Sequence, residues 1–242
     1  MPQGREPFCA CYANGPLGGS PGEGKQTNGC TPFLYPNNMK KLSLLLILLF
    51  CWNVYAAWGY DVKVDGIYYN LNEDDKTATV TYEGKDFYVS KLYTGNVVIP
   101  EKITARGTVY TVTSLHDDCF HDCISLSSVA IPSSVTSFGD NCFEGCRSLA
   151  SITIPNSVTS LGEYCFQGCT GLTSIKISNA VTRLEDDCFA YCSGLTSITV
   201  PNSVTSLGRY CFRGCTGLTS ITIPDSVTSV EEWCFDGCVR CI

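Results

Sequence analysis

Leu149 to Gly171, LASITIPNSVTSLGEYCFQGCTG, is the stretch whose reading decides the fold, because the chain copies it in register. Phenylalanine recurs at Phe120, Phe143, Phe166, Phe189, Phe212 and Phe235, always 23 residues apart. Each sits in a Cys-Phe-x-x-Cys motif. The first three motifs pair Cys119 with Cys123, Cys142 with Cys146 and Cys165 with Cys169. The last three pair Cys188 with Cys192, Cys211 with Cys215 and Cys234 with Cys238. A fixed period in the twenties is the signature of a solenoid, in which no unit can bury its apolar edge alone.

Within the quoted copy, the alternation Ile152-Thr153-Ile154 predicts a short strand, which Pro155 ends by removing the next ladder donor. Val158 and Leu161 return to the core through a second extended segment, and Gly162 is expected to turn the chain. The i, i+4 spacing of Cys165 and Cys169 predicts a short helical turn with both sulfurs inward. The expected fold class is therefore a β-rich α/β solenoid, with one short strand and one short helical turn per repeat. Its core is a stack of Leu, Ile, Val, Cys and Phe columns, with the motif residues above inside and neighbouring coils about 4.8 Å apart. Ile131, Ile154, Ile177, Val200 and Ile223 keep one register, whereas Ile99 lies nine residues too early. The extra length falls in Ile103–Val112, where Arg106-Gly107 reads as a hairpin turn.

Upstream the pattern changes. Residues 1–38 are rich in Gly and Pro and are read as a non-native or disordered extension. Met39-Lys40-Lys41 followed by the apolar run Leu42–Phe50 reads as a signal peptide over 39–56, cleaved after Ala56. Asn53 argues against an anchor and Phe50 against lipidation at Cys51, so no integral membrane segment is expected after cleavage. Residues 57–98 alternate as short antiparallel strands, around Val62, Val64, Ile67–Leu71 and Thr77–Tyr82. They read as an N-terminal β-meander cap over the first coil of a solenoid spanning 99–242. The last repeat is incomplete. Cys241 occupies the column of Leu149, Leu172, Leu195 and Leu218, and the open end is read as truncated or covered by a partner, including another copy of the chain.

Charge and chemistry narrow the function. The net charge is −7 and no Lys/Arg run follows Lys41, which excludes nucleic acid as a partner class, since a binder needs a basic footprint on phosphate. Twelve of the seventeen cysteines belong to the repeat. Three readings of them stay open: buried apolar thiols, bridges between adjacent coils, and metal ligation. The first is preferred, because zinc sites use closer Cys pairs or added His, and no metal or cofactor is expected. Cys9, Cys11 and Cys30 lack a fourth ligand for such a site. His116 and His121 stand beside Asp117, Asp118 and Asp122, which reads as a solvated turn rather than a catalytic group. No nucleophile elbow, phosphate loop or zinc-protease motif appears, so no catalytic residue is assigned and the chain is not expected to be an enzyme.

Ile154-Pro155-Asn156-Ser157-Val158-Thr159-Ser160-Leu161-Gly162, with Phe166 and Cys169, resembles the coil pattern of BspA-like leucine-rich repeats, and Val64–Tyr69 resembles the leader of such proteins. The resemblance covers about residues 58–242. The chain departs from it in placing Cys where Ala usually precedes the Phe, and Ser157 where ordinary leucine-rich repeats place Asn. The resemblance implies a right-handed leucine-rich-repeat coil and a secreted or cell-surface protein. It also implies adhesion to host extracellular-matrix or bacterial surface proteins. The candidate ligand face is then the outward strand column Ala130, Thr153, Lys176, Thr199 and Thr222, flanked by Ala150, Thr173, Thr196 and Thr219. That column has no aromatic or Arg anchor, so strong attachment would need many copies or the tyrosines Tyr68, Tyr69, Tyr82, Tyr88 and Tyr93. The alternative is an envelope scaffold, or a remnant of a longer surface protein, with no ligand on this face.

Overall fold

The computed structural model describes residues 59–84 and 93–238. The expected extension 1–38 and expected signal peptide 39–56, with Cys9, Cys11, Cys30, Tyr88 and Cys241, lie outside the described residues.

Three short strands open the described chain: β1 (Val62–Val64), β2 (Ile67–Asn72) and β3 (Thr77–Thr81). Both successive pairings are antiparallel, Val62 opposite Tyr69 and Tyr69 opposite Val80. The turns between them use residues at positive φ, Asp65-Gly66 and Lys76. The added nine residues form the hairpin of β5 (Lys102–Ala105) and β6 (Thr108–Leu115). Arg106 and Gly107 both have positive φ, as a two-residue turn matching strand twist requires. β3 then pairs parallel with β6, joining the antiparallel strands to the repeats.

Each repeat contributes residues to two parallel ladders. One side stacks β4 (Gly95–Val98), β7 (Leu126–Ala130), β9 (Ser151–Thr153), β10 (Ser174–Lys176), β12 (Ser197–Thr199) and β14 (Ser220–Thr222), hydrogen-bonded in successive pairs. The other continues from β6 into β8 (Ser137–Phe138) and then Ser160, and resumes as β11 (Arg183–Leu184), β13 (Ser206–Leu207) and β15 (Ser229–Val230). Partners within the repeats are 23 residues apart, as in Ile175 with Ile152 and Leu184 with Leu207.

The third side of each coil corrects the expected fold class. Among the described residues there is no helix, so the repeats are all-β and not α/β. Alternate N–H groups around the Cys-Phe motif leave their own coil. Tyr164, Phe166 and Gly168 donate to the carbonyls of Asp186, Cys188 and Ala190 at 2.8–3.0 Å. The intervening Gln167 and Cys169 donate locally, to Tyr164 and Phe166. Tyr164 and Gly168 have positive φ, which a right-handed helix cannot accommodate. The sulfurs still share a face, but it is the face of a run of turns. Gly162 has no positive φ; a Cβ there would lie 2.5 Å from Oδ1 and N of Asp140, so this glycine supplies room between coils rather than a turn.

Phe120, Phe143, Phe166, Phe189 and Phe212 are fully buried and stack with centroids 5.0–5.5 Å apart and planes within 6° of parallel, the column ending on half-buried Phe235. Tyr93 lies on the other end, 4.8 Å from Phe120, and its hydroxyl donates to the Thr81 carbonyl. Because Phe166 is fully buried between two stacked rings, Phe166→Ala should cost about 3–5 kcal/mol. Phe235→Ala should cost less than about half of that. Urea denaturation of the two variants beside the parent measures the difference.

Candidate functional site

Ala130, Thr153, Lys176, Thr199 and Thr222 are all exposed, on the outward side of β7, β9, β10, β12 and β14. Thr153 lies beside Lys176, and Thr199 beside Thr222. The middle residue of each strand points inward, so two outward columns flank it. The second column, Ser151, Ser174, Ser197 and Ser220, is equally exposed, and the sequence reading left it out of the face. So too with Val98, 70% exposed next to Ala130, and with Asn96, which accepts a hydrogen bond from Ser128 at 2.7 Å. Strict alternation within a three-residue strand was the signal that could have found the serines.

The flanking column does a different job. Thr173 and Thr219 spend their hydroxyls on the carbonyls of Ala150 and Thr196, each at 3.1 Å, and so tie coils together. Strand pairing along the face is bonded two by two: β4 with β7, β9 with β10, β12 with β14. Shallow clefts of about 510 and 350 Å³ lie between β7 and β9 and between β10 and β12. They are lined by Ser and Thr hydroxyls and by Pro155 and Pro201. The tyrosines proposed as additional contacts are packing residues instead. Tyr68, Tyr69 and Tyr93 are buried and Tyr82 is half-buried.

The repeat cysteines form two columns of thiols, buried from Cys119 to Cys234 with Cys238 half-buried. In the second column the sulfurs from the second coil onward donate to a phenylalanine carbonyl of the preceding coil: Cys146 to Phe120, Cys169 to Phe143, Cys192 to Phe166 and Cys215 to Phe189, all at 3.1 Å. These thiols are therefore rungs as well as fillers. In the first column sulfurs neighbour one another, Cys119 with Cys142 and Cys211 with Cys234. Burial pushes the thiols of Cys142, Cys146, Cys165 and Cys169 well above their usual range, and those of Cys119, Cys188, Cys192 and Cys211 in the same direction. A raised thiol remains neutral and is a poor nucleophile and metal ligand.

His116 and His121 stand on the turn side of the first coil. His121 Nε2 is 3.6 Å from Glu144, and His116 Nδ1 is 3.0 Å from the Asp117 carbonyl. Burial raises the carboxyls of Glu144 and Asp118, with His121 opposing the shift in both. Asp117 and Asp140 are bound into the fold: Oδ1 of each accepts the N–H of the next coil, from Asp140 at 3.0 Å and Glu163 at 2.8 Å. Asp186 does the same for Arg209 at 2.9 Å. This column of carboxylates links successive coils. The local sequence gives no hint of it, because the acceptor and donor are 23 residues apart.

The turn side also carries what the strand face lacks. Tyr191 is 44% and Trp233 59% exposed, and Arg209 and Arg213 lie within 4.9 Å of the Tyr210 ring. Aligning the repeat by columns would have found this cluster; reading only the strand column could not.

A family profile described as the BspA type leucine-rich repeat region matches residues 111–241 in six copies. A leucine-rich cell surface protein from Faecalibacterium prausnitzii is 34% identical with a TM-score of 0.61, over 73% of this chain and 46% of that one. The chain thus spans less than half the length of that relative. A leucine-rich repeat protein of T. pallidum is 25% identical with a TM-score of 0.60, over 75% of this chain and 90% of that one. The pneumococcal vaccine antigen PcpA, 22% identical with a TM-score of 0.50 over 71% and 50%, shares the fold. A comparison with curated proteins finds no match.

Two outcomes follow from the thiol columns. Cys165→Ser should cost about 1 kcal/mol more than Cys169→Ser, since only position 169 offers a carbonyl acceptor to the new hydroxyl; chemical denaturation of both variants measures it. Separately, the folded thiols are raised above the unfolded value of about 8.5. Their contribution to stability is therefore full below that pH and is lost as pH rises toward the folded values. Unfolding monitored by circular dichroism should show stability falling steeply above about pH 9, with reaction of the thiols with a colorimetric disulfide reagent appearing only as the chain unfolds.

Proposed function

We propose, from the premise that this chain belongs to the BspA type leucine-rich repeat family, that it binds other proteins through its strand face while exposed at a cell surface or secreted. The carrying observation is that face itself: two exposed polar columns, Ser151 to Ser220 and Thr153 to Thr222, on strands whose middle residues Ile152 and Ile198 are buried and Ile175 and Ile221 half-buried. A rigid row of short hydroxyl side chains loses little rotamer entropy on contact. Each contact is weak, and strength comes from repetition along the row.

The partner class is proteins, with host extracellular-matrix or bacterial surface proteins as the specific proposal and adhesion as the role. A leader over 39–56 would route the chain outward. In this reading residues 57–98 are the cap of the 99–242 repeats, a role supported by Tyr93 packing on the first ring of the phenylalanine column. No catalytic step belongs to the reading.

The test is a double variant, Thr153→Asp with Thr199→Asp, which places a carboxylate beside Lys176 and another beside Thr222 without opposing like charges. Exposed positions of this kind leave stability within about 0.5 kcal/mol. Attachment to an immobilised basement-membrane extract should weaken about tenfold, a loss of roughly 1.4 kcal/mol. Unchanged attachment by the folded variant removes the strand face as the binding surface.

A further inference from the structure

We propose that the turn side of the first four coils is a docking strip for a basic polypeptide segment, which lies extended along the stack and seats a lysine or arginine head on Asp187. The strip is on a different side of the coil from the strand face, so neither reading depends on the other. Residues 116–125, 139–148, 162–171 and 185–194, the turn side of these coils, hold nine carboxylates against one arginine, Arg147. Asp117, Asp140, Glu163 and Asp186 form one of its columns. The fifth coil, over residues 208–217, reverses the sign. It holds Arg209 and Arg213 and no carboxylate, so the strip ends between coils four and five.

Acidity alone marks a solvated face; buried oxygens without partners mark a seat. Asp187 is only 9% exposed, and among the described residues its carboxylate takes part in no ion pair and no hydrogen bond. At the other end of the strip, Asp118 Oδ1 is buried with no hydrogen-bond partner. Burial raises the carboxyls of Asp118, Glu163 and Asp187, and a neighbouring carboxylate adds to each: Asp117, Asp140 and Asp186 in turn. Arg209 and Arg213 offset the rise at Asp187 in part. Both guanidiniums, however, lie 4.9 Å from the Tyr210 ring and pair with Glu232 at 4.0 Å and Asp236 at 3.2 Å instead. The fold thus leaves negative charge uncompensated along the strip, and a partner's cations relieve it.

A row of this kind suits a chain rather than a metal ion. No group of three or more acidic, His or Cys side chains among the described residues is placed to hold a metal. Asp117, Asp140 and Asp186 each commit Oδ1 to the N–H of the next coil, which holds the row in place. Four coils span about 14 Å, the reach of four or five extended residues. Same-side residues of an extended segment lie about 7 Å apart, and the long stems of Lys and Arg absorb the mismatch with the coil spacing. Tyr164, half-buried one coil before Asp187 in the same column, offers a ring face beside the seat. Exposed charge pairs are individually weak, so binding is modest and falls with salt.

The probe is an acetylated, amidated Lys-Thr-Lys-Thr-Lys peptide carrying a fluorophore, titrated with the folded full chain. Fluorescence anisotropy at about 0.05 M salt should show a Kd of about 10–100 µM, with binding lost by about 0.5 M. Asp187→Asn with Glu163→Gln should weaken it about tenfold. Asn141 already fills the Asp187 column at the same positive φ, so this variant keeps the fold. Glu101→Gln with Asp225→Asn removes the same charge from exposed positions outside the strip and should change binding less than about twofold. The Thr153→Asp/Thr199→Asp variant should also bind within about twofold of the parent, which keeps this test separate from that of the strand face. If the Asp187→Asn double variant fails to fold by circular dichroism, Glu163→Gln alone decides, with a loss of about threefold expected. Absence of binding at low salt overturns the proposal. So does equal weakening by the two charge-matched double variants, which reduces the effect to net charge. Full displacement of the peptide by about 1 mM calcium also overturns it, because the strip is then a cation site.

Discussion

The structure depends on a single constraint: every coil must offer its neighbour the same backbone, at the same height, after the same number of residues. Hydrogen bonds enforce it on all three sides. Thr159 donates to the Thr136 carbonyl, Ile154 to Lys176 and Phe166 to Cys188, all to an adjacent coil. One residue too many would turn inward side chains outward and misalign every bond on one side. The chain therefore places its nine-residue excess in the β5–β6 hairpin, whose strands pair with each other and with β3 ahead of the repeats. Side chains reinforce the register where backbone spacing alone leaves slack, through the Asp140 carboxylate on the Glu163 N–H and the Cys169 thiol on the Phe143 carbonyl.

The same constraint explains how far the sequence could be read. Columns were legible because period and identity repeat together. Phe120 to Phe235 named the core, and the alternation Ile152-Thr153-Ile154 named a strand and the outward side of Thr153. What misled was the assumption that an N–H finds its partner nearby. The Cys165–Cys169 spacing fits a helix, yet equally fits turns in which Tyr164, Phe166 and Gly168 bond to the next coil. Spacing reports which side chains share a face; it carries no information about where the backbone's hydrogen bonds go. Gly162 misled similarly. Its lack of a side chain matters because Asp140 of the previous coil presses against it, a contact invisible in the local sequence.

The candidate site was legible in part for a related reason. Thr153, Thr199 and Thr222 lie where strand alternation puts them, on the outward face. The tyrosines of the N-terminal strands were misassigned because aromatic residues in short alternating strands look alike whether they face solvent or a neighbouring sheet. Tyr69 is buried because β2 is covered, which depends on β3, β6 and Tyr93 arriving from elsewhere in the chain. The Tyr191, Tyr210 and Arg213 cluster is likewise a product of stacking, since its members come from two coils and meet only when those coils do.

Buried and exposed side chains occupy different columns of one repeat. Leu172, Cys169 and Phe166 are shut inside, and their contacts reach only to adjacent coils, so a change there is felt locally and strongly. Thr153 and Lys176, or Tyr191 and Arg213, project outward from that scaffold, so they can differ between coils while the ladders beneath them stay in register. The inward thiols fit this division. Burial holds them neutral, so few thiolates are offered on which disulfide exchange could act. A repeat that isolates its reactive groups inside and varies its polar groups outside can carry two chemically distinct faces, one hydroxyl-rich and one aromatic and charged, without either compromising the stack.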